Sequence, residues 1–408
     1  MKNIAQATKI FTFALFLFLG ISQTASAYGT YPTSVKNPAN FHPGYYMLVG
    51  YNAGKYDFDM IKDNPDFLGV KKVYIWKNLE TAENIYNFSQ IEQDLAYLQS
   101  IGKRLWLEVQ YTEWYGGASA RVPSYMWTDS KYGGQAPYYG AYQNPAGGPW
   151  YAVIWNANVQ GRFAALYSAL GKRFNGEPYI EGITLGETSM PTGPSYSATG
   201  VENAFKVNAL AAKRAFPDKT IIQQINYAAF DLQAFAQWLA GNGIGIGSPD
   251  TLLMPEKGQI SKVYPLYLPQ HDLVPTAPDV QWGNYEHYNS LIGRPNTSAE
   301  LLDGGVKATN PWYYFWVNRE PYFTRDAVPA IRAYGQLPAA AQFYAGTVVP
   351  PPTSGYTAQY WNIPNTTSSP TFPATVPTLT RTDADINFFW GTSTPATIIT
   401  PDHFAARW

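Results

Sequence analysis

The sequence has no cysteine. That excludes disulfides, thiol nucleophiles and cysteine metal sites. The fold must therefore stand on its core alone, which a chain of 408 residues can build. Histidine is almost as scarce. His42, His271, His287 and His403 lie far apart and form no ligand-spaced pair, so no metal and no cofactor is expected. Charge is thin as well. Charged residues make up 14%, under the usual quarter. The net charge is −1, so no basic face advertises nucleic acid. Beyond the first residues, no segment is long and apolar enough to cross a membrane. A Gly-rich phosphate turn is missing too. The first strand-like run leads into Gly50-Tyr51-Asn52-Ala53-Gly54, which lacks the G-x-G-x-x-G spacing.

Aromatic residues are what the chain has in excess. They make up 16%, with 32 Tyr and 13 Trp. Many must serve a core. A weakly charged surface rich in Tyr and Trp also suits a neutral partner with CH faces and hydroxyls, which describes a sugar. The expected partner is thus a polysaccharide or oligosaccharide. The N-terminus reads as an export leader. Lys2 and Lys9 precede the apolar run Ile10–Ile21, and Ala25-Ser26-Ala27 is a cleavage pattern. Residues 1–27 are expected to be removed near Ala27. That gives a secreted, periplasmic or surface protein with no membrane insertion afterwards.

Apolar runs then alternate with helix-like stretches. The expected strands are Tyr45–Val49, Val70–Trp76, Leu105–Val109, Tyr179–Leu185, Thr220–Ile225, Ile244–Leu253, Val280–Trp282 extending to Tyr285, and Tyr313–Val317. Helical spacing occupies Phe88–Ile101, Val159–Phe174, Val201–Phe216 and Ala229–Ala240. Such alternation implies parallel pairing through right-handed crossovers. About eight units over roughly 300 residues predict a (β/α)₈ TIM barrel over 28–345. A doubly wound sheet is the rival. Two long loops, Glu113–Trp150 and Met254–Pro278, follow expected strands and belong on the catalytic face. A Pro-rich linker spans 346–354. The remainder, 355–408, has no helical period and reads as a partial all-β module.

An acid just past a strand of a parallel barrel sits on that catalytic face. Glu187 in "ITLGETS" meets this test after strand four. Glu286 in "VQWGNYEHY" meets it after strand seven. The two strands lie on opposite sides of the mouth, so the two acids can flank one glycosidic bond. One would protonate the leaving oxygen, and the other would attack the sugar carbon or activate water. Glu256 in "MPEKG" competes with Glu286 for the second role, and Glu320 comes third. Glu108 and Glu113 are expected to bind sugar hydroxyls or hold a loop.

"YIWKNLETAENIYNFSQIEQDLAYLQSIGKRLWLEVQ" (Tyr74–Gln110) resembles the second and third units of clan A glycoside hydrolases, and "RVPSYM" (Arg121–Met126) resembles their loop after strand three. The resemblance implies Glu187 as acid/base and Glu286 as nucleophile. It implies Trp316 as a ring flooring the cleavage subsite. Tyr285, His287, Asn226, Gln110 and Tyr111 are further candidates for binding sugar. One departure stands out. The clan's acid/base usually follows Asn, but Gly186 precedes Glu187, so Asn226 or Gln224 would have to take over the missing amide. Gly-Glu followed by Pro-Ser-Tyr also resembles β-amylases, which invert, so the stereochemistry stays open between retention and inversion. The tail "GYTAQYWN…RTDADINFFW…HFAARW" resembles the opening half of a protective-antigen-type β-domain, through Gly355, Tyr360, Arg381, Asp383, Ile386, Phe388, Trp390, Phe404, Arg407 and Trp408. That module often binds sugar. The leading expectation is an exported glycoside hydrolase. The alternative is a non-catalytic glycan-binding or adhesion protein on a barrel scaffold.

Overall fold

The computed structural model describes residues 28–113, 121–132, 135–137, 150–189, 197–345, 356–363, 377–383, 399 and 404–407. The expected leader and Pro-rich linker lie outside the described residues, as does most of the Glu113–Trp150 loop.

Eight parallel strands close into a barrel. In chain order they are β1 Gly44–Val49, β2 Phe67–Ile75, β3 Arg104–Gln110, β4 Ile180–Leu185, β5 Thr220–Gln224, β6 Gly245–Ser248, β7 Thr276–Val280 and β8 Tyr313–Val317. Each pairs with its chain neighbour, and β8 returns to β1. Such strands are covered on both faces, which is why they read as apolar runs. Outside them lie α1 Ser89–Ser100, α2 Ala157–Phe174, α3 Ala198–Ala215, α4 Leu232–Gly241, α5 Ser298–Thr309, α6 Val328–Tyr334 and α7 Pro338–Ala345. The α2 stripe Val159, Phe163, Leu166, Leu170 and Phe174 is buried. The Asn156 side chain starts that helix by accepting from the N–H groups of Asn158 and Val159.

The barrel interior is layered. Its lower layer is aromatic, with Tyr46, Trp106, Tyr313 and Phe315 in mutual contact. Trp106 has space because residue 182 is glycine. A Cβ there would stand 2.3 Å from the indole ring. The layer above is charged. The Lys71 ammonium donates to Asp279 at 2.6 Å and lies 3.0 Å from Glu108. Gln224 donates to both Asp279 oxygens, at 3.2 and 3.3 Å, and Thr184 donates to Glu108 at 3.1 Å. Charges this deep are tolerable only when paired and hydrogen-bonded, as these are. Lys71, Glu108 and Asp279 of this layer line the cavity at the mouth.

Two expected strands differ, one in place and one in length. β7 begins at Thr276, within the stretch expected to be loop, and ends at Val280, where the expected strand starts. Pro275, Pro278 and Asp279 hide it, because these residue types are rare in strands. Residues Trp282–Tyr285 form a single helical turn instead. β6 stops at Ser248, short of the expected Leu253. Between Pro255 and Gln270 the chain makes successive single turns in place of an open loop. Helix α5 has no counterpart among the expectations. Gly304-Gly305 weakens its pattern, and a reciprocal cap between Thr297 and Glu300 starts it.

In the tail, β9 Tyr356–Asn362 pairs antiparallel with β10 Leu379–Asp383 on one side and β11 Phe404–Arg407 on the other. Tyr360 is buried, and Arg381 lies over its ring at 4.9 Å while donating to its hydroxyl at 3.1 Å. Tyr360 and Arg381 thus meet as packing partners.

Candidate active site

A cavity of about 670 Å³ opens at the C-terminal ends of the strands. Glu108, Glu187, Asp279 and Glu286 line it, together with Lys71, Gln110, Tyr111, Gln224, Trp282 and Arg319. Its size lies in the ~300–1,000 Å³ range of small-molecule sites.

Glu187 stands two residues past β4. The turn carrying it is stitched to the end of β5. The Gln223 amide donates to the Gly186 carbonyl at 2.6 Å, the Thr188 N–H donates to the Gln224 carbonyl at 3.2 Å, and the Asn226 N–H donates to the Thr188 hydroxyl at 2.9 Å. The Asn226 side chain then donates to the Glu187 carboxylate at 2.6 Å. Asn226 itself accepts from Gln259 at 3.1 Å. An amide from just past β5 thus bonds the Glu187 carboxylate directly. At Gly186 a Cβ would stand 3.3 Å from the Tyr111 ring, a tight approach that favours glycine.

Glu187 is packed closely by protein yet keeps contact with the cavity. Burial pushes its carboxyl pKa up to about 8. The Asn226 bond opposes that rise, and the charges of Asp250, Glu108 and Asp279 add to it. Asp279 is also raised, to about 6, by burial against the opposing pull of Lys71. Lys71 is held above its ordinary value. Burial alone would lower it, but the Asp279 and Glu108 charges outweigh that.

Glu286 lies on the rim, six residues beyond β7, with its side chain 51% exposed. The Arg319 guanidinium pairs with it and donates at 2.6 Å to the Trp282 carbonyl. Arg319 follows β8, so this contact ties the loops of β7 and β8 together.

Of the other sequence candidates, Gln110 and Tyr111 line the cavity, and Asn226 reaches it through Glu187. Trp316 does not. It is wholly buried beside Tyr314, whose hydroxyl bonds outward to Leu301 of α5. The alternation of side chains along β8 sends Phe315 and Val317 inward and Trp316 outward. Tyr285 is also directed elsewhere. It stacks on Tyr322 at 5.1 Å and faces a separate groove beside α5. The late start assigned to strand seven caused that misplacement. His287 rests against Gly283 and is not among the lining residues. Glu256 and Glu320 are exposed, bond to Ser290 and Thr324, and do not line the cavity. Glu113 pairs with Arg121, which fits its expected loop-holding role. The turn Trp76-Lys77-Asn78-Leu79-Glu80, within the clan-like stretch, has a structural explanation. The Glu80 carboxylate accepts from the Trp76 indole at 2.8 Å, the Asn84 N–H at 3.0 Å and Arg162.

Sequence reasoning missed Lys71, Asp279, Trp282 and Arg319. One signal was available. Two adjacent lysines in "VKKVYIW" must point to opposite faces of a buried strand, and each then needs a buried carboxylate. Lys71 takes Asp279 inside the barrel, and Lys72 takes Asp94 of α1 outside it.

No protein-family model and no curated protein matches the sequence. Solved structures do. The catalytic domain of β-amylase from Paenibacillus polymyxa matches with a TM-score of 0.50 at 12% identity, over 68% of this chain and 93% of that one. The β-galactosidase from Bacillus circulans sp. alkalophilus matches at TM-score 0.49 and 10% identity, over 68% of this chain and 50% of that one. Endo-glycoceramidase II from Rhodococcus sp. matches at 0.46 and 12%, over 71% and 74%. At these identities the likeness is one of fold, a (β/α)₈ barrel.

Proposed function

We propose that this chain is an exported glycoside hydrolase, with Glu187 as the proton donor and Glu286 as the second carboxylate. One observation carries the reading. A carboxyl held protonated to about pH 8 faces a cavity that also holds an open carboxylate. Protonation of a leaving alkoxide near neutral pH needs such a group. Asp279 and Glu108 also line the cavity, but both are bound to Lys71, and Asp279 is wholly buried. Glu286 is also paired, to Arg319, but its side chain is 51% exposed, against 16% for Glu108 and none for Asp279, so it is the one a substrate can reach. In this reading it attacks the anomeric carbon and forms a glycosyl-enzyme. Water then releases the sugar, with Glu187 acting as base. The barrel likeness to solved glycosidases and the Tyr/Trp-rich composition support the same class.

The test is Glu187→Gln and Glu286→Gln, made singly and assayed for reducing ends on a glycan panel. Each is expected to lower kcat by about 10²–10⁴. Wild-type turnover in both variants would end the proposal. The anomer first formed, read by proton NMR, should match the substrate's. The opposite anomer would make Glu286 a base acting on water. N-terminal sequencing of the exported protein should find a start near Tyr28.

A further inference from the structure

Two exposed rings on the cavity have no role so far. Trp282, after β7, is 57% exposed, and Tyr51, after β1, is 41% exposed. Both line the cavity. Each has an arginine stacked on it. Arg319 lies 5.0 Å from the Trp282 ring centre, and Arg121 lies 4.4 Å from that of Tyr51. Each arginine is fixed in turn by a glutamate, Glu286 and Glu113 respectively. An arginine over one face holds the ring still, while each ring keeps roughly half its surface exposed. A held, half-open aromatic face in a cleft suits the CH face of a pyranose.

The charges lining the same cavity narrow the ligand further. Its cations, among the described residues, are Lys71 and Arg319. Lys71 is shared by Asp279 and Glu108, and Arg319 is taken by Glu286. A uronate-bearing chain would therefore meet carboxylates with no free cation to answer it. A neutral chain meets rings, amides and hydroxyls.

We propose that Trp282 and Tyr51 are the stacking platforms of two sugar subsites, and that the cleft takes a neutral glycan. This rests on the hydrolase reading for its site, though not for its test. Arg319 joins the Trp282 platform to Glu286, so the Trp282 subsite adjoins the reacting bond and the Tyr51 subsite lies on the β1 side. Removing the indole leaves the Arg319 bond to the Trp282 carbonyl in place, because that bond uses backbone. Trp282→Ala should therefore spare Glu286.

The experiment measures retention of the Glu187→Gln protein in affinity gels. The gels carry soluble neutral polysaccharides (mixed-linkage β-glucan, galactomannan, starch), polygalacturonate or chitosan. At least one neutral polymer should retard the protein, and polygalacturonate should not. Adding Trp282→Ala or Tyr51→Ala should weaken retention about tenfold, equal to ~1.4 kcal/mol. Trp282→Phe should restore most of it. In the otherwise wild-type enzyme Trp282→Ala should raise KM with kcat held within about twofold. Circular dichroism checks that each variant is folded. Retention by no neutral polymer, stronger retention by polygalacturonate or chitosan, or retention unchanged in folded Trp282→Ala and Tyr51→Ala overturns the proposal. The two readings fail separately. Ring-dependent retention without reducing-end release removes the hydrolase and keeps the subsites. Turnover lost in Glu187→Gln with KM unmoved by the ring variants does the reverse.

Discussion

Two glutamates sit near opposite ends of β4, Glu181 within it and Glu187 just past it, and burial pushes both the same way. Glu181, at the bottom, is wholly buried. Glu187, at the top, is packed closely by protein. Their proton affinities nevertheless part in opposite directions. Burial also pushes Glu181 up, but its partners overrule it. The His42 N–H donates at 2.7 Å and the His42 ring bonds at 2.8 Å. The Tyr313 hydroxyl donates at 2.7 Å, and the Arg104 guanidinium stands 3.7 Å away. The result is a carboxyl held below its ordinary value. Glu187 has one hydrogen bond among the described residues, from Asn226, and carboxylates rather than cations dominate its surroundings. Desolvation makes a carboxyl costly to ionise, and the donor count decides whether it ionises. One strand thereby carries a structural anion near one end and, just past the other, a carboxyl that holds its proton more tightly than usual.

The comparison breaks most visibly in stability. Glu181→Ala leaves His42, Tyr313 and Arg104 facing an uncompensated hole at the barrel floor. A loss of about 3–5 kcal/mol is expected in urea denaturation. Glu187→Gln should cost no stability at pH 6 and should gain some, because the folded acid keeps its proton there while the unfolded one has lost it. A large loss for Glu187→Gln, or a small one for Glu181→Ala, would reverse the roles assigned to the two ends.

The pH dependence separates them next. The folded value of Glu187 lies above its unfolded one, so the folded state binds its proton more tightly. Stability from this group is fully present below about pH 4.5 and is lost as pH rises toward about 8. The folded value of Glu181 lies below its unfolded one. Its contribution is present above about 4.5 and is lost as pH falls through the lower folded value. Glu187→Gln should therefore be more stable than the parent at pH 9. The kcat/KM profile of the parent should fall on an alkaline limb near pH 8, because the proton donor ionises there. A flat profile between pH 7 and 10 would remove Glu187 from proton transfer.

The sequence shows these two ends unequally, for physical reasons. The barrel is legible because its strands are apolar runs and its helices carry regular stripes. Tyr313–Val317 is found to the residue, and α2 within two. Glu187 is legible because a glycine and a polar loop follow a clean strand. β7 is not. Pro275, Pro278 and Asp279 give it loop chemistry, so Asp279 was hidden and Tyr285 was placed on the wrong side. Trp316 misleads for another reason. Strand β8 is aromatic on both faces, and composition does not tell an inward ring from an outward one. The Lys71–Asp279 contact pairs residues 208 positions apart, and only the closed barrel brings them together.

The finest test of the comparison is to change the donor count at Glu187 itself. Asn226 supplies its hydrogen bond through the side chain, while the turn is held by the backbone of the same residue, through Thr188. Asn226→Ala therefore removes the donor and leaves the stitching. It also strips Gln259 of an acceptor, a cost borne by stability rather than by Glu187. With the stabilising bond to its charged form gone, Glu187 should ionise still later. The alkaline limb should move up by about one pH unit, worth ~1.4 kcal/mol. Asn226→Asp should act in the same direction and further, since it replaces a donor with a second negative charge. A limb that stays near pH 8 in both variants would mean that this bond does not set the acidity of Glu187. A downward shift would mean that the charges around the group, not its donors, have been misread.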